Sequence, residues 1–429
     1  MRKFALLTVL VFAVMSLIPA PLVAQDAPTV TIVTCWGGAE GVGFNGANAV
    51  FTEQTGIEVE HIDDRDCHLL PQIMASAGNP PDISAMPRPG VMAQMAREGL
   101  IIPLTSGDDP VMTMEYVAEN YGQALIDLGS VDGELYGIVS AVSSKSTAWR
   151  RTDVFEDIGE DAPATWDEFI EYLDILAEEG IPSLSLGALD GWTLTDFFEN
   201  LYLNIAGPEM YHKLFVTHEV EWTDPTVISA LEHFAQAVSP TDARLAGGSD
   251  GALATGFIDA IDKFMAGEAG IYPLASFVRS FAEANFPGQT CPDDFGFFQF
   301  PTINEMYANS VVLGGNFFIM FNDRPEVREW MNWIAGAEAQ ELIATQETGP
   351  QLSANYNVSA DVYAEPCDGA AAAMVANANH VAFDGSDLAP GAIGGDAMFT
   401  GLQDLVANPD SVAEVAQFIE DVADTAYDM

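Results

Sequence analysis

Positive charge is what this chain has least of: four lysines and ten arginines stand against 64 aspartates and glutamates in 429 residues. Nucleic acid and anionic lipid are excluded as partners, because both require a basic patch that releases counterions. Histidine is nearly as rare, at six residues, and no HExxH occurs. The four cysteines form no CxxC pair, and no Asp/Asn loop carries a turn glycine and a closing glutamate. Zinc-protease, thiol-redox and calcium-loop chemistry therefore have no motif to rest on, and no metal or cofactor is expected. No apolar run suits a membrane span either, since the longest, Phe4–Ile18, is cut short by Pro19 and Pro21.

What is present begins with a leader. Arg2 and Lys3, the apolar run and small residues up to Ala24 have the three parts of a secretory signal over residues 1–24. The leader lacks a twin arginine, so the chain is expected to cross the membrane unfolded. No cysteine stands at the cleavage point to take a lipid. The expected product is a soluble periplasmic protein starting near Gln25, in a cell with an outer membrane to retain it. Without the leader's two basic residues, the net charge moves from −50 to −52. Such an excess of carboxylates suits a saline medium, where the screening length falls to roughly 3 Å near 1 M salt.

About 400 mature residues exceed what one growing core organises, so two lobes are expected. Val30–Thr34 reads as a β-branched strand, followed by a glycine-rich loop and a helix from about Ala47 to Gln54. Ile57–Ile62 and the segment around Ile83 continue the strands of a mostly parallel α/β lobe. Ligands gather at the carboxyl ends of such strands, where Trp36, Asp64, Arg65 and Arg88 should emerge. Further on, Thr165 to Glu168 form a capping box ahead of Phe169, Ile170, Leu173 and Leu176. Phe295–Phe300 and Val311–Phe321 read as buried strands, and a helix after Pro325 carries Trp330, Trp333 and Ile334 at core spacing. In an exported chain, Cys35, Cys67, Cys291 and Cys367 are expected to form structural disulfides. Three pairings are possible. Cys35 with Cys67 is favoured because each ends a strand expected to neighbour the other, which leaves Cys291 with Cys367.

Several motifs compete for a functional reading. Gly41, Gly43 and Gly46 satisfy GxGxxG between a strand and a helix, with Glu60, Asp63 and Asp64 near the position of a ribose-binding acid. Against a dinucleotide site stand the five residues separating Cys35 from Gly41 and an export route that cannot carry a cytoplasmic cofactor. Gly247–Gly251 fits GxSxG but lacks the strand before it, so a surface loop is the better reading. His61, Asp63, Asp64, Asp66 and His68 have no zinc spacing and read as a polar strand-end loop. The aromatics Trp36, Trp192, Phe277 and Phe399 recur beside glycine, proline or acids outside any helical core stripe. Pyranose rings pack their apolar faces on such side chains while Asp, Arg and Asn fix the hydroxyls.

From Gly78-Asn-Pro-Pro-Asp-Ile83 through PRPGVMAQMAREGLIIPL, the chain resembles family 1 extracellular solute-binding proteins of ABC importers, the group containing maltose-binding protein. Matching segments come after it in order: VDGELYGI, TWDEFIEYLDILAEEG, AGPEMY, FMAGEAGIY, VLGGNFFIMFNDRPEVREWMNWIA and FDGSDLAPGAIGG. The last two and PRPG are most similar to the α-glucoside-binding branch. The resemblance implies an α/β, two-lobed periplasmic binding protein type II fold with a ligand cleft between lobes. Approximate bounds are 25–140 with 302–350 for the first lobe, and 141–301 with 351–429 for the second. It implies polar contacts from Asp64, Arg65 and Arg88, and an acid–aromatic pair at Asp190 and Trp192. Phe277 falls at a stacking position, Gly315 and Asn316 in a glycine loop, and Asp384, Asp387 and Phe399 complete the set. Asn316 stands where the branch often has an acid, and Phe399 where tryptophan is commoner, so the sugar is left open. The function expected is a monomeric receptor delivering a small carbohydrate to an inner-membrane permease. The alternative is an exported enzyme, either a glycosidase or an oxidoreductase using the Gly41–Gly46 loop.

Overall fold

The computed structural model describes residues 27–159, 161–346, 349 and 351–427. The leader lies outside the described residues. In the first lobe, β1 (Thr29–Thr34) buries Val30, Ile32, Val33 and Thr34, as suits a strand covered on both faces. It pairs in parallel with β2 (Glu58–Asp63) and β3 (Ile83–Met86). A small hairpin, β4 (Ser130–Val131) with β5 (Glu134–Leu135), precedes β6 (Gly137–Ser144). The chain then passes into a second sheet of β7 (Thr147–Arg151) flanked by β8 (Ile271–Pro273) and β9 (Phe295–Gln299), all antiparallel. It returns through the long strand β10 (Ser310–Met320), and β11 (Leu352–Ser353) and β12 (His380–Phe383) complete the first sheet. The order is β11-β6-β10-β3-β1-β2, with β12 also on β10.

Two large apolar cores result from this threading. One draws on residues 30–141 and 311–354 with Phe383, the other on residues 148–312 and 389–426. A smaller cluster around Trp149, Phe264 and Phe295 extends the second lobe. Each core thus draws on segments discontinuous in sequence, and β11 and β12, from the 351–429 segment expected in the second lobe, pair into the first sheet. Only Lys145 and Ser146 separate β6 from β7, so this crossing is short and taut. Lys145 N–H donates to Val312 O at 2.8 Å, and Phe300 N–H donates to Ser146 O at 2.8 Å, tying two crossings together.

Local expectations hold where caps and periodicity were clear. The helix Trp166–Glu178 has the Thr165/Glu168 capping box. The helix Pro325–Ala335 buries Trp330, whose indole N–H donates to Asn48 Oδ1 at 2.8 Å. Cys35 bonds Cys67, and Cys291 bonds Cys367.

Two glycine-rich segments depart from expectation. Gly41, Gly43 and Gly46 lie inside the helix Gly38–Thr55, not in a loop before it. A Cβ on Gly41 would meet the Trp36 carbonyl oxygen at 2.8 Å, and one on Gly46 would run into the Gln346 side chain. Close packing, not a phosphate, accounts for these glycines, and their poor helix propensity concealed the helix. Similarly, Gly248–Leu253 is a short helix entered through Gly247 in the left-handed region at φ +82°, where a surface loop was expected.

Candidate functional site

A cavity of about 360 Å³ lies between the lobes. The first lobe contributes the carboxyl ends of β1, β2 and β3, which supply Trp36, Arg65, Asp66, His68 and Arg88. It also contributes Gly314, Gly315 and Asn316 of β10. These three occupy a notch: β12 pairs with residues 310–313 and β3 with residues 317–320, so one edge of β10 is left open between them. A bulge between Asn316 and Phe317 breaks the ladder with β6 at the same place. Bulges of this kind re-aim side chains beside sites.

The second lobe supplies Asp190, Trp192, Phe257, Phe277, Asp384, Asp387 and Phe399. Asp190 ends a 3₁₀ turn, Ala188–Asp190, and its Oδ2 accepts the Phe257 N–H at 2.6 Å. Gly191, at φ +73°, joins that turn to the helix beginning at Trp192, and a Cβ there would strike the Phe399 ring at 2.5 Å. Backbone freedom and the missing side chain both matter at this position. Trp192 packs against Phe257 and Phe277 at centroid distances of 5.2 and 6.2 Å.

Eleven of the twelve residues expected from the sequence line this one cavity. The exception is Asp64. It is exposed, and its Oδ1 accepts the Asp66 N–H at 2.8 Å to close a turn, so it does not reach the cavity wall. Trp36 lines the cavity by an edge only; it is 4% exposed and meets Phe44 and Phe318 edge-to-face in the core. His61, raised as a metal-loop residue, instead shares a hydrogen bond with the Thr34 hydroxyl at 2.7 Å.

Charge in the cavity is paired. Lys145 Nζ lies 2.9 Å from Asp196 and 3.2 Å from Asp384, with Trp192 beneath it at 5.1 Å. Burial opposes the lysine's charge, but Asp196, Asp384 and Asp387 together outweigh it and raise its pKa. Asp196 is pushed up to about 7 by burial, against the pull of Lys145. Burial also acts to raise Asp384, yet Lys145, the Ser386 hydroxyl and the Asp387 N–H hold it below the usual carboxylate range. Asp387 is raised by burial and by the neighbouring Asp384. On the opposite wall, Arg65 stands 3.8 Å from Glu40, whose burial lifts its pKa to about 7. His68 is lowered to about 4, by burial first and Arg88 second, so its ring is neutral.

Sequence reasoning missed the support beneath this wall. Glu199 is fully buried and accepts the N–H groups of Gly385 and Ser386 at 2.7 and 2.9 Å and the Tyr211 hydroxyl at 2.8 Å. It thereby fixes the turn carrying Asp384 and Asp387. Asn200 holds the Lys145 carbonyl at 2.9 Å from the same helix face. A signal was available: Asp196, Glu199 and Asn200 recur at i, i+3 and i+4 among the apolar Phe197, Phe198, Leu201 and Leu203. Lys145, one of four lysines, was also passed over.

A family model described as bacterial extracellular solute-binding protein matches residues 47–366. The chain belongs to that family. The osmoprotective compounds-binding protein GgtB of Synechocystis is 32% identical over 393 residues, covering 90% of each chain. The α-glucosides-binding periplasmic protein AglE of Rhizobium meliloti is 32% identical over 413 residues, covering 92% of this chain and 87% of its own. Among solved structures, the bacterial solute receptor AcbH, described as preferring β-D-galactopyranose, superposes with TM-score 0.81. It is 21% identical and covers 94% of this chain and 100% of its own. The maltose-maltodextrin binding protein of Alicyclobacillus acidocaldarius gives TM-score 0.69 at 19% identity, covering 92% and 100%. This solute-binding protein therefore has the two-lobed fold expected of it. It is a receptor, and with that family membership the exported-enzyme alternative falls.

Proposed function

We propose that this solute-binding protein is the periplasmic receptor of an ABC importer and captures a small α-glucoside or related oligosaccharide. The observation carrying this reading is the make-up of the cavity. Trp192, Phe257, Phe277 and Phe399 offer apolar faces, and between them stand Asp190, Asn316, Arg88 and Asp387 with groups suited to hydroxyls. Aromatic faces with interspersed carboxylate, guanidinium and amide groups match a pyranose, which is apolar above and below its ring and polar around the rim. The relative named for α-glucosides supports the same class. The protein acts as a monomer that closes over ligand, and both lobes then present one face to the permease. Its low basic content argues against any nucleic-acid role.

The test is a thermal-shift screen of maltose, trehalose, sucrose and their monosaccharides in high salt. A ligand at 100 times its dissociation constant stabilises by about 2.7 kcal/mol. A shift with one or more disaccharides supports the reading, and no shift across the panel opposes it.

A further inference from the structure

Buried polar atoms without a partner are informative, because a desolvated carbonyl oxygen costs free energy until a donor reaches it. Among the described residues, two such atoms belong to cavity-lining side chains: Asn316 Oδ1 and Gln351 Oε1. Asn316 falls in the glycine loop already expected to meet ligand. Gln351 belongs to none of the motifs that the sequence offers.

We infer that Gln351 is a ligand contact and a specificity determinant, its side-chain oxygen accepting a hydroxyl from the bound carbohydrate. Its backbone is placed by the two residues after it. Leu352 pairs with Val142 and Ser353 with Ala141 on β6. Ser353 Oγ donates to Gln340 Oε1 at 2.7 Å, and its N–H donates to the Tyr363 hydroxyl at 2.8 Å. The strand is pinned on both sides, so Gln351 is delivered to the cavity by fixed structure. Asn316 also pairs with Ala141, from the other side of β6. The two lone acceptors therefore flank a single strand, and a ligand lying along β6 meets both. An acceptor of this kind favours a hydroxyl, and disfavours an analogue lacking that hydroxyl or placing an ether oxygen there.

This inference rests on the carbohydrate reading, and the experiment separates the two. Wild type, Gln351→Met and Gln351→Ala are titrated calorimetrically with maltose, trehalose and sucrose, and each ligand-free melting temperature is recorded. The expected result is affinity about tenfold weaker or worse in both variants, with melting unchanged or raised because an unpaired buried oxygen has been removed. Wild-type affinity in the variants overturns the inference while leaving the receptor reading intact. Lost affinity accompanied by a falling ligand-free melting temperature also overturns it, since that is the mark of a structural residue. Failure of wild type to bind any of the three sugars overturns the carbohydrate reading, and the inference with it.

Discussion

Arg88 and Asp387 are joined across the cleft, with the arginine Nε 3.4 Å from the carboxylate Oδ1 and both side chains nearly buried. The guanidinium also stands 5.7 Å over the Phe399 ring, so one first-lobe side chain meets two second-lobe residues. Arg65 makes a second bridge, 4.8 Å over Phe257. The lobes thus touch through cation–carboxylate and cation–π contacts beside the cavity, each of a kind worth about a kcal/mol or more when desolvated.

Replacing that arginine tests whether these contacts hold the lobes together. In Arg88→Ala, the ligand-free protein is expected to open, seen as a larger radius of gyration in small-angle scattering. Sugar affinity should fall about tenfold, near 1.4 kcal/mol. Scattering and affinity both matching wild type would remove Arg88 from cleft closure.

Lys145 should matter more for stability than for binding. Its ammonium neutralises Asp196 and Asp384 at the crossing between sheets, so Lys145→Met leaves two buried carboxylates facing each other. A loss of about 3–5 kcal/mol is expected, the usual cost of breaking a buried pair from one side. Adding Asp196→Asn should recover part of it. Urea unfolding of the single and double variants measures both effects, and a single variant as stable as wild type contradicts them.

Glu40 predicts a pH dependence of definite sign. Its folded pKa of about 7 exceeds the ordinary glutamate value of 4.5, with burial the main cause. Between those values the native state keeps a proton that the unfolded state has lost, so stability falls as pH rises through this window. Glu40→Gln should match wild type near pH 4.5 and be more stable at pH 8, by roughly 3 kcal/mol at most. Parallel melting curves over pH 4.5–8 would show that Glu40 does not titrate in this way.

How much was legible in the sequence depended on how local each signal was. β1, the Thr165 capping box and the Pro325 helix announce themselves within a few residues, and structure agrees with them. The cavity aromatics were legible because they stand beside glycines and acids, outside core stripes. The Gly41–Gly46 helix was hidden because packing against Trp36 and Gln346, remote information, overrides propensity there. Glu199 and Lys145 were missed for a related reason. Their roles depend on residues 385–386 and 384 arriving from the far end of the chain.

The acidic surface yields a prediction about salt. With −50 overall charge and little opposite charge to balance it, self-repulsion should destabilise the fold as screening is withdrawn. The melting temperature is expected to drop between 1 M and 0.01 M sodium chloride, and a constant value would contradict saline adaptation.

The most direct measurement is a calorimetric titration of the purified protein with maltose, trehalose and sucrose, followed by chromatography of the recovered sugar. One-to-one binding of at least one disaccharide, returned chemically unchanged and weakened about tenfold by Trp192→Ala, is the predicted result. Absence of binding by all three, or recovery of cleaved sugar, would contradict a carbohydrate receptor.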